Sequence, residues 1–313
     1  MKKAITIILI NILLIFIAVF IFNYLYFVKL TANNMDIPYY EVFSKHAYEN
    51  IYFTLKMSTF DDFYKKREAN MFRPVSGEEY TEKKPIILMG CSFAYGHVLD
   101  DNKILSARIA EKAKRTVYNF AYPGWGTQNI IYLMQHNQKL QNVKKEGEGK
   151  QYIIYWYIYD HLRRLYIPFF FTDTYYALLY TEKNGTLVRK ERNHPYIDAF
   201  YLIKDQEYKR VLTDYAERTE EMEKYRFFMQ HMYRIKEEKD KLFPDAQIIV
   251  MSSSEPFPDQ VVSDLEAIDI PVLYTKDLTG VDMENDPEWT YDIHPNAAAV
   301  ELLSDALIKE LGL

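Results

Sequence analysis

The chain has 313 residues, 49% of them apolar, and a formal net charge of −6. That length supports one sizeable α/β domain with additions, and the mild acidity, without a basic block or interleaved basic and aromatic residues, excludes a nucleic-acid surface. Cys91 is the only cysteine, which excludes an intrachain disulfide and a cysteine-based metal site.

Met1-Lys2-Lys3 precedes Ala4–Val28, an uncharged run rich in Ile, Leu and Phe. About 20 residues cross a hydrocarbon core about 30 Å thick, so this run is long enough to span a membrane. It exceeds the apolar region of a cleaved signal peptide, and Leu30-Thr31-Ala32 is a poor cleavage site, so an uncleaved anchor is expected over residues 1–28. Lys2 and Lys3 outweigh Lys29, which places the N-terminus in the cytoplasm and the remainder outside it. Residues 29–82, of mixed charge and rich in aromatics, read as a stalk or helical linker whose short helices can pack on the domain. The main domain is expected over 83–313.

Pro85–Met89 has the length of a buried strand and stops at Gly90-Cys91-Ser92, a small-residue turn that lifts a serine hydroxyl off a strand end. The strict G-x-S-x-G pattern fails because position 94 is alanine. Lys103–Lys114 has helical spacing, Thr116–Phe120 reads as a second strand, and a helix follows from Gln128 to Leu140. Tyr152–Tyr159 is the central strand, ending at Asp160-His161-Leu162-Arg163-Arg164. An aromatic insertion occupies about 165–240. It contains Phe169–Phe171, a hairpin signal at Asn184-Gly185, and a charged helix over Glu207–Leu242 with a stripe of Tyr225, Phe228, Met232 and Ile235. Gln247–Ser252 and Pro271–Tyr274 complete the strands, and Asn296–Leu311 is a closing helix. Strands alternating with helices predict a parallel sheet covered on both faces, a three-layer α/β/α sandwich with sites at the carboxyl ends of its strands.

Near the far end, Asp292 and His294 supply a carboxylate and an imidazole two residues apart. A serine alcohol needs a base to take its proton, and an imidazole titrates near working pH. Ser92 as nucleophile, His294 as base and Asp292 as the group that orients the ring form one chemical set. His97 reads as closing the serine turn, and the Arg163-Arg164 pair as either surface charge or a grip for an anion. The acidic loop of Asp282, Glu284, Asp286 and Glu288 reads as solvated.

In order and placement these segments resemble the blocks of the SGNH/GDSL hydrolase superfamily. Gly90-Cys91-Ser92-Phe93 is similar to the first block, with Cys91 in the place of an acidic residue, and Asn119–Thr127 to the second. Tyr159-Asp160-His161 stands where the third is found, without its asparagine, and Asp292-Ile293-His294-Pro295 resembles the last. The resemblance implies a flavodoxin-like fold and serine esterase chemistry. It implies an oxyanion donor in the backbone N–H of Gly124, beside that of Ser92, and a substrate-binding role for Asp160 or His161. No metal or organic cofactor is implied. The substrate would be an O-acylated small molecule, glycan or lipid outside the cytoplasm. An O-acyltransferase on surface polysaccharide and a non-catalytic glycan-binding or assembly protein are the alternatives. A phosphate-binding α/β domain is disfavoured because the Gly90–Gly96 turn lacks a Walker lysine. Protein partners are not legible.

Overall fold

β1 (Ile86–Gly90) leads into a single helical turn, α1 (Ser92–Tyr95), and then α2 (Leu105–Ala113). β2 (Val117–Asn119) is followed by α3 (Thr127–His136) and α4 (Gln138–Gln141), and β3 (Tyr152–Tyr157) by α5 (Asp160–Arg164). Next come a hairpin of β4 (Tyr180–Lys183) and β5 (Thr186–Arg189), the long α6 (Glu221–Leu242), and β6 (Gln247–Ser252). The chain closes with α7 (Asp259–Ala267), β7 (Val272–Tyr274), α8 (Thr275–Thr279), a short ladder of β8 (Thr290–Tyr291) with β9 (His294–Pro295), and α9 (Ala297–Leu311). The structure, a computed structural model, describes Tyr64 and residues 71–165, 180–183, 186–189, 221–253 and 256–313. The anchor expected over 1–28, most of the 29–82 segment, the Phe169–Phe171 aromatics and the start of the charged helix lie outside these residues. Among the described residues no helix is long and apolar enough to cross a membrane.

The main sheet has the strand order β2-β1-β3-β6-β7, with every neighbouring pair parallel. Alternation sends Ile86, Leu88, Ile154, Trp156 and Met251 to one face, where they meet Leu105 and Ile109 of α2 and Leu303 and Leu307 of α9. On the other face the Tyr155 hydroxyl meets Thr127 of α3 and the Tyr157 ring packs on Phe228 of α6. Strands covered on both faces must be apolar throughout, and all five residues of β1 and all six of β3 are buried. Burying one such Leu or Ile side chain contributes about 1.5–3 kcal/mol. The stripe expected on α6 is buried as read from its spacing: Tyr225, Phe228, Met232 and Ile235 all lie in the core. β4 and β5 pair antiparallel, Tyr180 with Arg189 and Lys183 with Thr186, around the Asn184-Gly185 signal.

The chain runs from β1 outward to β2 and then returns to the opposite side of β1 for β3. The loops after β1 and β3 therefore diverge and leave a crevice at the carboxyl end of the sheet. Part of the segment read as linker packs on this domain. Ser76 and Val117 exchange both backbone hydrogen bonds, at 3.0 and 2.9 Å. Tyr64 and Met71 are buried, and the Phe72 ring lies 5.2 Å from that of Phe120.

Gly90 ends β1 with φ +148°, and a Cβ there would sit 2.7 Å from the Trp156 carbonyl oxygen of β3. That oxygen belongs to the sheet backbone and cannot step aside. Gly90→Ala is expected to lower the unfolding free energy by about 1–3 kcal/mol from backbone strain alone, with the overlap adding to it. Urea denaturation of the two proteins checks this.

Candidate active site

Cys91 is fully buried and precedes α1, and Ser92, half-buried, is the first residue of that turn. The turn is closed tightly. Gly96, left-handed at φ +72°, donates its N–H to Ser92 O at 3.0 Å and Phe93 O at 3.1 Å, and His97 N–H adds a bond to Ser92 O at 3.1 Å. Arg73 then binds the carbonyls that follow: Nε donates to Tyr95 O (3.2 Å) and Nη2 to Gly96 O (2.7 Å) and Leu99 O (3.0 Å), while Nη1 pairs with Asp101. From β2, the buried Asn119 donates Nδ2 to Ala94 O at 2.8 Å and accepts from Ala121 N–H at 3.0 Å. This side chain ties the serine turn to the loop after β2.

That loop runs beside the end of β1, with Tyr122 N–H donating to Gly90 O at 3.3 Å. Gly124 sits in the left-handed region at φ +81°, inside a turn closed by Trp125 N–H on Tyr122 O at 3.1 Å. Among the described residues no backbone carbonyl accepts from the N–H of Ser92 or Gly124. One such donor lies on the loop after β1 and the other on the loop after β2.

His294 comes from the β8–β9 ladder, in which Tyr291 pairs with His294 across the two-residue turn Asp292-Ile293. Both turn residues have positive φ, +48° and +60°, as a two-residue hairpin loop demands. A β-branched residue pays strain there, and Ile293 is 72% exposed, so no burial offsets it. The turn brings the Asp292 main-chain carbonyl to 2.6 Å from His294 Nδ1. A carbonyl only accepts, so Nδ1 carries the proton and Nε2 of the neutral ring keeps its lone pair. The expected orienting partner was the Asp292 carboxylate; the backbone of that residue makes the bond instead, and the carboxylate stands exposed. The His294 ring packs against Phe93 of α1, centroids 5.3 Å apart, and against His97 at 5.4 Å. No hydrogen bond joins Ser92 Oγ to His294 among the described residues. Burial lowers the His294 pKa below the ordinary imidazole value, and the His97 and Arg164 charges push the same way. The bond to Asp292 O and the Asp292 charge oppose them without prevailing.

Of the third-block residues Tyr159 is exposed, Asp160 half-buried and His161 turned inward. His161 is fully buried, with Nδ1 and the Tyr155 hydroxyl 2.6 Å apart and its ring stacked on Tyr155 at 5.5 Å. Burial, and then the Arg164 charge, hold its pKa well below the usual range, so it stays neutral in the core. It therefore has no surface to offer a substrate. The Asp160 carboxylate is engaged by Arg163 at 3.1 Å and Arg164 at 3.3 Å. The arginine pair divides: Arg163 is exposed, whereas Arg164 is 5% exposed and donates Nη1 to Trp125 O at 2.6 Å. In the acidic loop, Asp282 accepts from the N–H groups of Glu284 and Asn285, an Asx turn. No group of three or more His, Cys, Asp or Glu among the described residues is arranged to hold a metal. The sequence reading missed the roles of Arg73 and Arg164. For Arg164 the signal was its place right after the central strand.

No family model matches the chain, and no curated protein does. Solved structures with a similar chain path include a member of the lipolytic protein G-D-S-L family from Veillonella parvula, at 12% identity, covering 72% of this chain and 96% of that one with a TM-score of 0.37. A lipase from a goat rumen metagenome is 13% identical over 72% of this chain and 96% of its own, at a TM-score of 0.38. A family two carbohydrate esterase from Clostridium thermocellum, in complex with cellohexaose, is 12% identical, over 73% of this chain and 65% of that one, at 0.40. These likenesses are distant, and the chemistry rests on the site's own geometry.

The charges around His294 give a direct test. Its ring is expected to titrate below the ordinary imidazole pKa, about 6.5. Replacing His97 by Gln removes a charge that disfavours the imidazolium, so the His294 pKa rises in that variant. Imidazole NMR signals followed against pH, assigned with a His294→Gln control, check both directions.

Proposed function

We propose that the chain is a serine ester hydrolase of the SGNH type, acting outside the cytoplasm on O-acyl esters. The observation that carries this reading is the His294 ring packed on Phe93, the residue next to Ser92, with Nδ1–H committed to Asp292 O. A base with its free nitrogen defined is thereby packed on the residue that follows the candidate alcohol. In the reaction Ser92 Oγ attacks the ester carbonyl and its proton passes to His294 Nε2. The oxyanion takes the N–H groups of Ser92 and Gly124, each of which is worth about 2.7–4 kcal/mol in interactions of this kind. Collapse breaks the ester C–O bond, and His294 returns the proton to the departing alcohol. Water, activated the same way, then frees the acid and Ser92. The Asp292 carboxylate, close enough to favour the imidazolium electrostatically, assists without touching the ring.

The location belongs to the same proposal and is supported by the apolar run Ala4–Val28 and the lysines before it. An acylated surface glycan is the substrate class that this location makes available. A second reading, a binding protein that keeps the fold without turnover, is favoured by one observation: Ser92 Oγ makes no hydrogen bond to His294.

The test is hydrolysis of p-nitrophenyl acetate by the full chain in detergent, with Ser92→Ala and Cys91→Ala alongside. Ser92→Ala is expected to lose about 10³-fold or more in kcat, while Cys91→Ala, which trims a buried thiol, stays within about tenfold of wild type. Turnover in wild type no greater than in Ser92→Ala would favour the binding-protein reading.

A further inference from the structure

The loop that offers Gly124 N–H has no strand to hold it, yet an oxyanion donor is useful only when fixed. Asn119 secures its beginning at Ala121. Its end is secured from α5. The buried Arg164 guanidinium forks, with Nη1 donating to Trp125 O at 2.6 Å and Nη2 pairing with Asp160 at 3.3 Å. The Arg164 main-chain carbonyl accepts Gln128 Nε2 at 2.8 Å, which brings the start of α3 to the same point. Gly126 lies directly on the arginine stem, since a Cβ there would come within 3.2 Å of Arg164 Cβ. On the far side the Trp125 ring packs against Phe72 at 5.8 Å and Tyr122 at 5.4 Å. The residue next to Gly124 is therefore gripped on its carbonyl by a buried cation and on its ring by an aromatic cluster. A buried charge is expensive unless paired, and this one is paired at both ends of the fork.

We propose that Arg164 is the positioning residue of the oxyanion loop: bridging the Asp160 carboxylate and the Trp125 carbonyl, it holds the Gly124 N–H in place opposite the serine turn. Arg164 acts through the backbone and need not touch substrate. The inference rests on the reading of Ser92 as nucleophile.

The test measures kcat and KM for p-nitrophenyl acetate on the full-length protein carrying Arg164→Gln, Arg164→Lys or Asp160→Asn, with thermal unfolding of each. Loss of one fixed oxyanion donor predicts a fall in kcat of about 10²–10³-fold for Arg164→Gln, with KM within about threefold of wild type. Arg164→Lys, whose ammonium can still donate to Trp125 O, is expected to recover at least about tenfold of that loss. Asp160→Asn, which keeps the shape but releases the arginine, falls in kcat by a smaller factor and serves if Arg164→Gln does not fold. Wild-type kcat in both Arg164→Gln and Asp160→Asn overturns the proposal while leaving the esterase reading intact. Equal losses in Gln and Lys that track the loss of thermal stability also overturn it, in favour of a purely structural arginine. Absence of Ser92-dependent turnover in wild type removes the esterase reading and this inference with it.

Discussion

Paired strands run backbone against backbone, and at the end of β1 that leaves Gly90 so near the carbonyl of its β3 partner Trp156 that a side chain would have 2.7 Å. The positive φ of Gly90 turns the chain off β1 in a conformation other residues rarely adopt. Everything at the site is downstream of that turn. Cys91 drops into the core, Ser92 begins α1 at the rim, and the Gly90 carbonyl remains available to the Tyr122 N–H of the neighbouring loop. The two loops that flank the crevice are thus spaced by one glycine.

Around this point the orienting work falls largely to the backbone. The histidine is fixed by a main-chain carbonyl, the candidate oxyanion donors are main-chain N–H groups, and the turn after the serine is closed by main-chain bonds and by Arg73 on three carbonyls. Side chains such as Asn119 and Arg164 act on backbone too, each binding a carbonyl of a functional loop. Such a site tolerates change at Asp292, whose carboxylate is spare for orientation, more readily than change in the hairpin turn that aims its carbonyl.

The legible part of this architecture was local. Continuous apolar runs marked β1, β3 and β6, Asn184-Gly185 marked the hairpin, and Asn296, whose side chain accepts from Ala299 N–H at 3.0 Å, marked the start of α9. Ser92 and His294 stood out as candidates because residue type and order carry a chemistry, and the ring packing of His294 on Phe93 is what the structure adds to that reading. What could not be read depends on contacts between segments far apart in the chain. The left-handed conformation of Ile293 runs against its residue type and is held by the pairing of β8 with β9. The burial of Arg164 is set by Trp125, 39 residues earlier, and an Arg-Arg pair written alone looks the same whether solvated or enclosed. The segment before β1 was read as a stalk with short helices able to pack on the domain; which of its residues do so, Ser76 on Val117 and the buried Tyr64 among them, was not legible from its irregular pattern.

Arg73 gives that last point a wider meaning. It sits 13 residues before β1 and is the only side chain among the described hydrogen bonds to reach Tyr95 O, Gly96 O and Leu99 O, and its guanidinium also lies 4.4 Å over the Tyr95 ring. The polypeptide that enters the domain is consequently a strut of the turn that carries Ser92. A domain excised at its first strand would strip the Arg73 guanidinium from three carbonyls in and just after the turn that Ser92 begins.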